Sequence, residues 1–443
     1  MPGSTRTLLA TLGVVAAIVA ALALTLFSVG TVERRGALER FVADVGPIEP
    51  EAYAPGPVPD AENAASKIRG ASEALSFRTA EGDGKGDLHW IRRCAEEGPG
   101  VVPAWNLDEV RSTLAGNAAA FEAFESAVPL ARADWKIDYR LGLEAMLPDW
   151  RRVLRGAHAL ACDGRLAIAD GEFDRATRRI ATLGRLARAV EEEPTPLFVS
   201  IGSALERIHL AVVQDAVRSP VAPAELLTGS AASLLDVDLR GRWRTAIAVD
   251  AACTHRSMER HGMLPDSMSG NLFQRGMSVA VWSVAGEGWL AYHLDRTTAL
   301  AEAHDGTPLI ESRTRAPLAA DPPWWSPWLR DFTAFHRLTL ERAAVTEAQR
   351  AIARRALALR LASMGGDAYP SRLDPPSTPS DDPFSGEPFS WTVAADGSAV
   401  LSAPVTGEFA ARTLSAKRSW WSWSLPPPSR AGDKPPAPTR LTE

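Results

Sequence analysis

Hydrophobic residues are concentrated near the start of the chain and recur with helical spacing after it. Residues 8–27, LLATLGVVAAIVAALALTLF, contain no charged residue and no proline. At about 1.5 Å per helical residue this run is roughly 30 Å long, which matches the hydrocarbon core of a bilayer. The pattern predicts a transmembrane helix over 8–27, preceded by a short tail over 1–7.

A cleavable signal peptide is the alternative interpretation of this run, because Ala21-Leu22-Ala23 offers a small-x-small cleavage site. Apolar residues continue beyond that site to Phe27, which favours an uncleaved anchor. Arg6 precedes the run and three arginines follow it, so the count of basic residues alone would keep the rest of the chain in the cytoplasm. We nevertheless expect an N-terminal signal anchor that exports the large C-terminal portion.

A proline-rich stretch separates the apolar run from the rest of the chain. Residues 47–59, PIEPEAYAPGPVP, contain five prolines. Such a composition is typical of an extended spacer. We therefore expect a juxtamembrane segment and spacer over 28–59, and a folded body that begins near Asp60.

Helical patterns fill the first part of this body. One helix is predicted from Asn106, its N-cap, to about residue 128, and another from Trp150 to residue 170, where Gly171 ends it. Apolar residues then recur at helical spacing over 173–190, with arginines on the other faces. This pattern predicts an amphipathic helix folded back on the preceding one.

Capping residues mark the helices that follow. Thr195 and Pro196 supply an N-cap and a first-turn proline for a helix that reaches about residue 217. Two more helices are expected near 223–235 and 238–261. The clearest apolar stripe begins at Asp331 and ends before Gly365. Together these elements predict an α-helical domain over 60–365.

The pattern changes after residue 365. The segments PFSWTV and AVLSA flank Asp396-Gly397 as the strands of a hairpin would, and Trp421, Trp423 and Leu425 alternate with serines as one face of a strand does. These positions predict a small sheet after the helices.

The predicted fold class is therefore mainly α. It comprises an N-terminal transmembrane helix, a multi-helix extramembrane body with αα-hairpins, and a small C-terminal β hairpin or sheet. The β-containing segment is expected over 366–426. The last residues, 427–443, are rich in proline and polar side chains and are expected to be disordered.

Three segments carry a resemblance to a known family. They are PVPDAENAA at 57–65, the hairpin from LACDGRL to EEEPT, and YPSRL followed by DPFSGEPFSW. Their order and spacing resemble a family of uncharacterised single-span bacterial envelope proteins, from which residues 262–328 depart as a variable insertion. The last segment is similar to pseudopilin-like proteins, through Tyr369, Pro370, Leu373, Asp382, Pro383, Phe384, Gly386 and Pro388. The resemblance implies an architecture and a membrane location without an activity.

A local resemblance concerns the hairpin alone. Gly164, Gly171 and Ala176 lie at the spacing of the small residues in a tetratricopeptide-type unit. A shift by the usual 34 residues places Leu205 and Leu210 where the last two should recur. An ordinary close-packed αα-hairpin is the simpler interpretation.

Composition and charge exclude some classes of function. Hydrophobic residues make up 46% of the chain and charged residues 23%, which suffices to bury a core. The net charge of -6 argues against nucleic acid as a partner, because phosphate neutralisation needs clustered Lys and Arg. Cys94, Cys162 and Cys253 are too few for a disulfide framework, and at least one of them is unpaired within the chain.

Candidate catalytic or metal-binding residues do not form a convincing set. Cys253, His255, Glu259 and His261 lie within nine residues, but at about 100° per residue His255 and Glu259 share one face of a helix while the other two lie on another. His293 and the later His304 are too far apart for one ion. We predict no catalytic, cofactor-binding or metal-binding residue.

Tryptophan is the remaining unusual feature, with 14 in the chain against four tyrosines. Trp324, Trp325 and Trp328 lie among prolines, and an indole couples a large apolar face to a hydrogen-bond donor. They form a candidate contact with a membrane surface or with other envelope proteins. Packing within the fold is the equally weighted alternative for these three residues.

These observations favour a single-pass protein of the bacterial cytoplasmic membrane with its large C-terminal portion outside the cytoplasm. Its expected partners are the membrane, through residues 8–27, and other envelope proteins. The leading hypothesis is a non-enzymatic scaffold or protein-interaction module without a cofactor. The alternative is an envelope hydrolase or metal-dependent enzyme whose site is assembled across helices and uses His255, Glu259 or His293.

Overall fold

A computed structural model describes residues 3–77, 86–145, 147–234, 236–261, 272–303, 329–365, 367–373, 388–403 and 422–428. Within these ranges the protein is mainly helical, with one small sheet, as the sequence predicts. The α-helices are α1 Gly3–Asp44, α2 Ala64–Ala74, α3 Asp87–Glu97, α4 Ala104–Gly116, α5 Ala118–Glu125, α6 Trp150–Asp170, α7 Phe173–Glu191, α8 Pro196–Arg218, α9 Ala224–Ser233, α10 Leu239–His261, α11 Leu272–Ala303 and α12 Leu329–Ser363. Short 3-10 turns cover Pro50–Tyr53, Pro99–Val101 and Tyr139–Glu144.

The helices α6, α7 and α8 form the centre of the body and begin and end where the sequence predicts. Gly171 ends α6 in the left-handed conformation, with φ 76°, which a glycine adopts without strain. The Thr195 side chain accepts a hydrogen bond from the backbone N–H of Phe198, 3.4 Å away, and Pro196 opens α8. Successive helices pack against each other as hairpins, and their apolar faces form the main core.

Among the residues that the structure describes, two helices are long and apolar enough to cross a membrane, judged by length and composition. The apolar window of α8 is 78% buried, so α8 is a core helix of the body. The window of α1 has a mean hydropathy of 2.6 and none of it is buried inside the protein. An exposed apolar surface of this length is unfavourable in water. The N-terminal helix is therefore the one suited to a membrane.

The juxtamembrane segment differs from the expected spacer. The helix α1 continues without a break to Asp44, and Ala37 and Phe41 are fully buried against the body. Next to it, Pro50–Tyr53 forms a 3-10 turn that contacts α10. The side chain of Val58 is 3% exposed. Proline favours extended or turn backbone, but it does not prevent a segment from packing on a surface, and here the prolines shape turns along the body.

The predicted single helix over 106–128 is two helices in the structure. The helix α4 begins at Ala104, so Asn106 lies inside it instead of capping it. A break at Asn117 separates α4 from α5. The Asn117 side chain accepts from the N–H of Ser76 and donates to its carbonyl oxygen, both at 2.8 Å. These two hydrogen bonds satisfy the backbone N–H and carbonyl groups of Ser76. The periodicity of apolar residues does not reveal such a contact.

The C-terminal sheet consists of β1 Ser390–Val393, β2 Ala399–Ser402 and β3 Ser422–Leu425 in antiparallel order β1-β2-β3. Gly397, with φ 84°, forms the turn between the first two strands, as predicted. Trp423 and Leu425 are buried, and β3 packs against α8 and α12. The alternation of Trp423 and Leu425 with serines thus reflects packing within the fold. Trp421 lies outside the described residues.

Candidate functional site

The junction between α1 and the body is where the anchor helix meets the rest of the protein. The helix α1 runs along α11, and these two helices form the most extensive helix–helix contact among the described residues. Arg34 binds both carboxylate oxygens of Glu287 at 3.0 Å, and Arg40 binds both oxygens of Asp295 at 2.8 and 3.0 Å. Residue numbers increase together in these pairs, so α1 and α11 are parallel.

Glycine permits the close approach of these helices. A Cβ atom built on Gly30 would lie 2.7 Å from the backbone nitrogen of Gly288, a separation that real Cβ atoms do not adopt. Further along α1, after the contact between Gly30 and Gly288, lies an apolar layer. In it Ala37 and Phe41 pack in one cluster with Trp289 and neighbouring residues of α10 and α11. The ion pairs and the buried apolar layer together set the direction in which α1 leaves the body.

Two of the residues singled out in the sequence, His255 and Glu259, lie at this junction. The second terminal nitrogen of the Arg34 guanidinium, Nη2, lies 3.0 Å from His255 Nε2 and 3.6 Å from a Glu259 oxygen. An arginine only donates, so His255 accepts through Nε2 and carries its proton on Nδ1. Burial is the main cause that lowers the pKa of His255, and the Arg34 charge adds to it. The neutral imidazole is thus the form that this junction holds.

The other two members of that sequence cluster lie elsewhere. Cys253 is buried with Tyr139 and Val249 on a different face of α10, and burial raises its pKa to about 12. His261 is the last residue of α10. Across the described residues, no group of three or more His, Cys, Asp and Glu side chains is arranged to hold a metal ion. The shared face of His255 and Glu259 is confirmed by the 3.8 Å separation of their side chains.

His293 belongs to a second buried polar cluster. Its ring stacks on Trp289 at 5.4 Å and lies 6.2 Å from the ring of His336 on α12. His336 Nε2 is 2.9 Å from a carboxylate oxygen of Asp250 on α10, and this hydrogen bond helps to lower the pKa of Asp250 although burial opposes it. Burial lowers the pKa of His293 to about 4. The cluster joins three helices inside the body.

No local pattern in the sequence marks Asp250 and His336 as partners, because they are 86 residues apart and neither stands in a motif. The buried aromatic and polar surroundings suit a stabilising network: Trp243 donates from its indole N–H to the His336 carbonyl oxygen at 3.0 Å and to Thr339 Oγ1 at 3.1 Å. His304, Trp324, Trp325 and Trp328 lie outside the described residues.

A third polar cluster stabilises the centre of the body. Glu206 and Arg350 form a buried ion pair between α8 and α12, with the guanidinium Nε 2.6 Å from the carboxylate. Glu191, at the end of α7, has a side chain within 4.0 Å of the same arginine. Burial, and then the Glu206 charge, raise the pKa of Glu191 to about 8. Two carboxylates that share one arginine do not both ionise easily, and this favours the protonated form of Glu191 in the folded state.

No family model matches this chain, and no curated protein or solved structure is significantly similar to it. The geometry of the three polar clusters is therefore the guide to function. Two of them, around His293 and Glu191, are enclosed by helices of the body. The junction around Arg34 differs because it connects the body to the exposed apolar helix.

Proposed function

We propose that the protein is a single-pass protein of the bacterial cytoplasmic membrane and acts as a non-enzymatic scaffold or protein-interaction module of the cell envelope. In this proposal residues 8–27 of α1 span the membrane and the body lies outside the cytoplasm. The family resemblance of the 57–65 segment and of the C-terminal YPSRL segment belongs to the same proposal. The membrane and other envelope proteins are its proposed partners.

The single observation that carries the proposal is the continuity of α1. One helix contains an apolar window of which nothing is buried and, further along, Ala37 and Phe41, which are fully buried in the body. A helix of 42 residues is about 63 Å long, enough to cross a bilayer and extend about 25 Å beyond it. A rigid connection of this kind suits a protein that must present its surface at a fixed height and orientation.

Cross-linking in cells tests this function. A C-terminally tagged full-length chain would be cross-linked in intact cells, extracted from membranes, and analysed by mass spectrometry. We expect the chain to stay in the membrane after alkaline washing and to capture a recurrent set of envelope proteins. Protease added to spheroplasts should digest the body. A chain found in the soluble fraction, a body protected in spheroplasts, or an absence of specific partners would contradict the proposal.

A matched pair of variants makes the experiment sharper. Arg34→Gln removes the ion pair with Glu287, whereas Arg35→Gln removes an exposed pair with Glu39 on the same helix and changes the net charge equally. If fixed docking positions the partners, the first variant should lose cross-linked proteins that the second retains. Equal cross-linking by both variants would contradict the role of the junction.

The tryptophan contact is tested separately. Replacement of Trp324, Trp325 and Trp328 by alanine should reduce the yield of cross-linked partners if these residues contact them. Replacement of the buried Trp423 is unsuitable as a control because it would disturb the sheet; Trp105, which is 74% exposed on α4, is the matched control. Unchanged association in the triple variant would contradict the contact.

A further inference from the structure

The helix α11 extends well beyond its junction with α1. It is one helix over Leu272–Ala303, whereas the glycine contact with α1 lies at Gly288. The part of α11 before Gly288 is about 24 Å long at 1.5 Å per residue. Because α1 and α11 are parallel, this part of α11 runs from the junction toward the amino end of α1, and so toward the apolar run at 8–27.

The two helices keep one register along the junction. It is set by three pairs of residues, Gly30 with Gly288, Arg34 with Glu287, and Arg40 with Asp295. The partners are 258, 253 and 255 positions apart in the sequence, a spread of little more than one helical turn, so the helices stay side by side. The same register places residues 276–286 of α11 beside about residues 21–31 of α1. The first of these α1 residues belong to the apolar run.

The sequence of this part of α11 is uncharged. Residues 276–286, GMSVAVWSVAG, lie between Arg275 and Glu287. Such a helical segment is about 16 Å long, roughly half of a hydrocarbon core, so it is too short to cross a bilayer. An apolar run of about 10–14 residues is typical of a buried core helix or of a segment that enters the membrane without crossing it. The surroundings of α1 at the same level decide between these two.

The exposure of α1 at this level favours the membrane. If the body enclosed α11 here, it would also cover the neighbouring residues of α1. Instead, Leu24, Phe27 and Val29 are 67%, 46% and 50% exposed. Gly30 is buried, and Ala23, two turns earlier on the same face, is partly buried, as expected of the face turned toward α11. The body therefore leaves α1 largely uncovered beside residues 276–286.

We propose that residues 276–286 of α11 enter the half of the bilayer nearer to the body, beside α1, without crossing it. The inference rests on the proposed function, because it takes residues 8–27 of α1 as the span. A helix satisfies its own backbone hydrogen bonds in lipid, and an uncharged one gains by leaving water. The charge of Arg275 limits the depth, because ionisable groups are costly in hydrocarbon. A second helix in the membrane resists rotation and tilt of the body about α1.

Nitroxide spin labels measure whether these positions lie in lipid. Single cysteines are introduced at four consecutive positions, which cover all faces of a helix at about 100° per residue: Ser278→Cys, Val279→Cys, Ala280→Cys and Val281→Cys. The full-length protein is labelled in detergent, where its buried native cysteines are protected, and reconstituted in vesicles of phosphatidylethanolamine and phosphatidylglycerol. Collision rates of each label are measured with oxygen, which concentrates in hydrocarbon, and with a polar nickel chelate, which stays in water.

Two control positions separate this inference from the proposed anchor. Ala16→Cys lies in the apolar run of α1, and Ala232→Cys lies on the exposed surface of α9. We expect the oxygen-to-nickel ratio at Ala16, and at one or more of positions 278–281, to exceed that at Ala232 by about tenfold or more, because hydrocarbon excludes polar solutes.

Three outcomes would overturn the inference. Ratios like that of Ala232 at all four α11 positions, with a high ratio at Ala16, would place this part of α11 in water and leave the anchor intact. A low ratio at Ala16 as well would overturn the anchor of the proposed function too. Low collision rates with both reagents at all four positions would show that protein, and not lipid, covers this part of α11.

Discussion

Replacement of Phe41 by alanine tests whether the end of α1 is part of the folded body. Phe41 is fully buried, and its ring packs in the cluster with Trp289. Loss of the buried ring surface costs about 2–3 kcal/mol, and the cavity left behind raises the total to about 3–5 kcal/mol. The neighbouring Val42 is 48% exposed, so Val42→Ala should change the free energy of unfolding by less than about 0.5 kcal/mol.

Urea unfolding in detergent measures this difference. With a slope of about 3 kcal/mol per molar urea, Phe41→Ala should lower the midpoint by about 1 M or more, while Val42→Ala should leave it unchanged. Limited trypsin digestion provides a local readout, because release of α1 would break the ion pair of Arg40 with Asp295 and let the helix around Arg40 unfold into the protease. Equal midpoints and equal digestion of the two variants would show that residues 28–44 behave as a flexible spacer.

Three further predictions concern packing and pH. Gly30→Ala should destabilise the protein by about 1–3 kcal/mol because α11 backbone occupies the space of a Cβ, whereas Gly13→Ala, with nothing within 4 Å, should be neutral in the same urea assay. The wild type should lose up to about 1.4 kcal/mol of unfolding free energy per pH unit as pH rises from about 4.5 to about 8, because Glu191 is protonated in the folded state over this range. Glu191→Gln should not show this decrease. His255→Gln should reduce the loss of stability that the wild type shows as pH falls below about 6.5, measured by urea unfolding at a series of pH values.

The signs of the two pH effects follow from the folded-state pKa values. Glu191 has a raised pKa, so the folded state binds a proton that the unfolded state releases, and stability decreases with rising pH until the folded group ionises. His255, like His209 and His293, has a lowered pKa, so the unfolded state binds the extra proton and acid destabilises the fold. Curves of unfolding free energy against pH that lack these opposite slopes would contradict the burial of Glu191 and His255.

Local signals predicted the central helices well because each signal has a local cause. Gly171 ends α6 through its own backbone freedom, and Thr195 begins α8 through a hydrogen bond three residues away. The hairpin strands were predicted for the same reason, through the turn at Gly397. Each of these elements can be predicted without information about residues that are distant in the sequence.

The junction could not be predicted in this way. Arg34 and Glu287 are 253 residues apart, and nothing in either local sequence identifies the other. One local signal does mark the α1 side of the junction. Ala37, Phe41 and Val45 recur every four residues, which indicates a buried helical face beyond the apolar run. The prolines of 47–59 suggested a spacer because composition reports backbone preference and not what the segment packs against.

The neutral state of His255 connects the electrostatics of the junction to the proposed function. Arg34 donates to the Nε2 lone pair of His255 while its other nitrogen holds Glu287. Protonation of the imidazole replaces this acceptor with a donor and places two cations 3.0 Å apart, and the carboxylates of Glu259 and Glu287 would then oppose the repulsion. A continuous helix transmits such a change in docking directly to the orientation of the body, which a flexible spacer would not do.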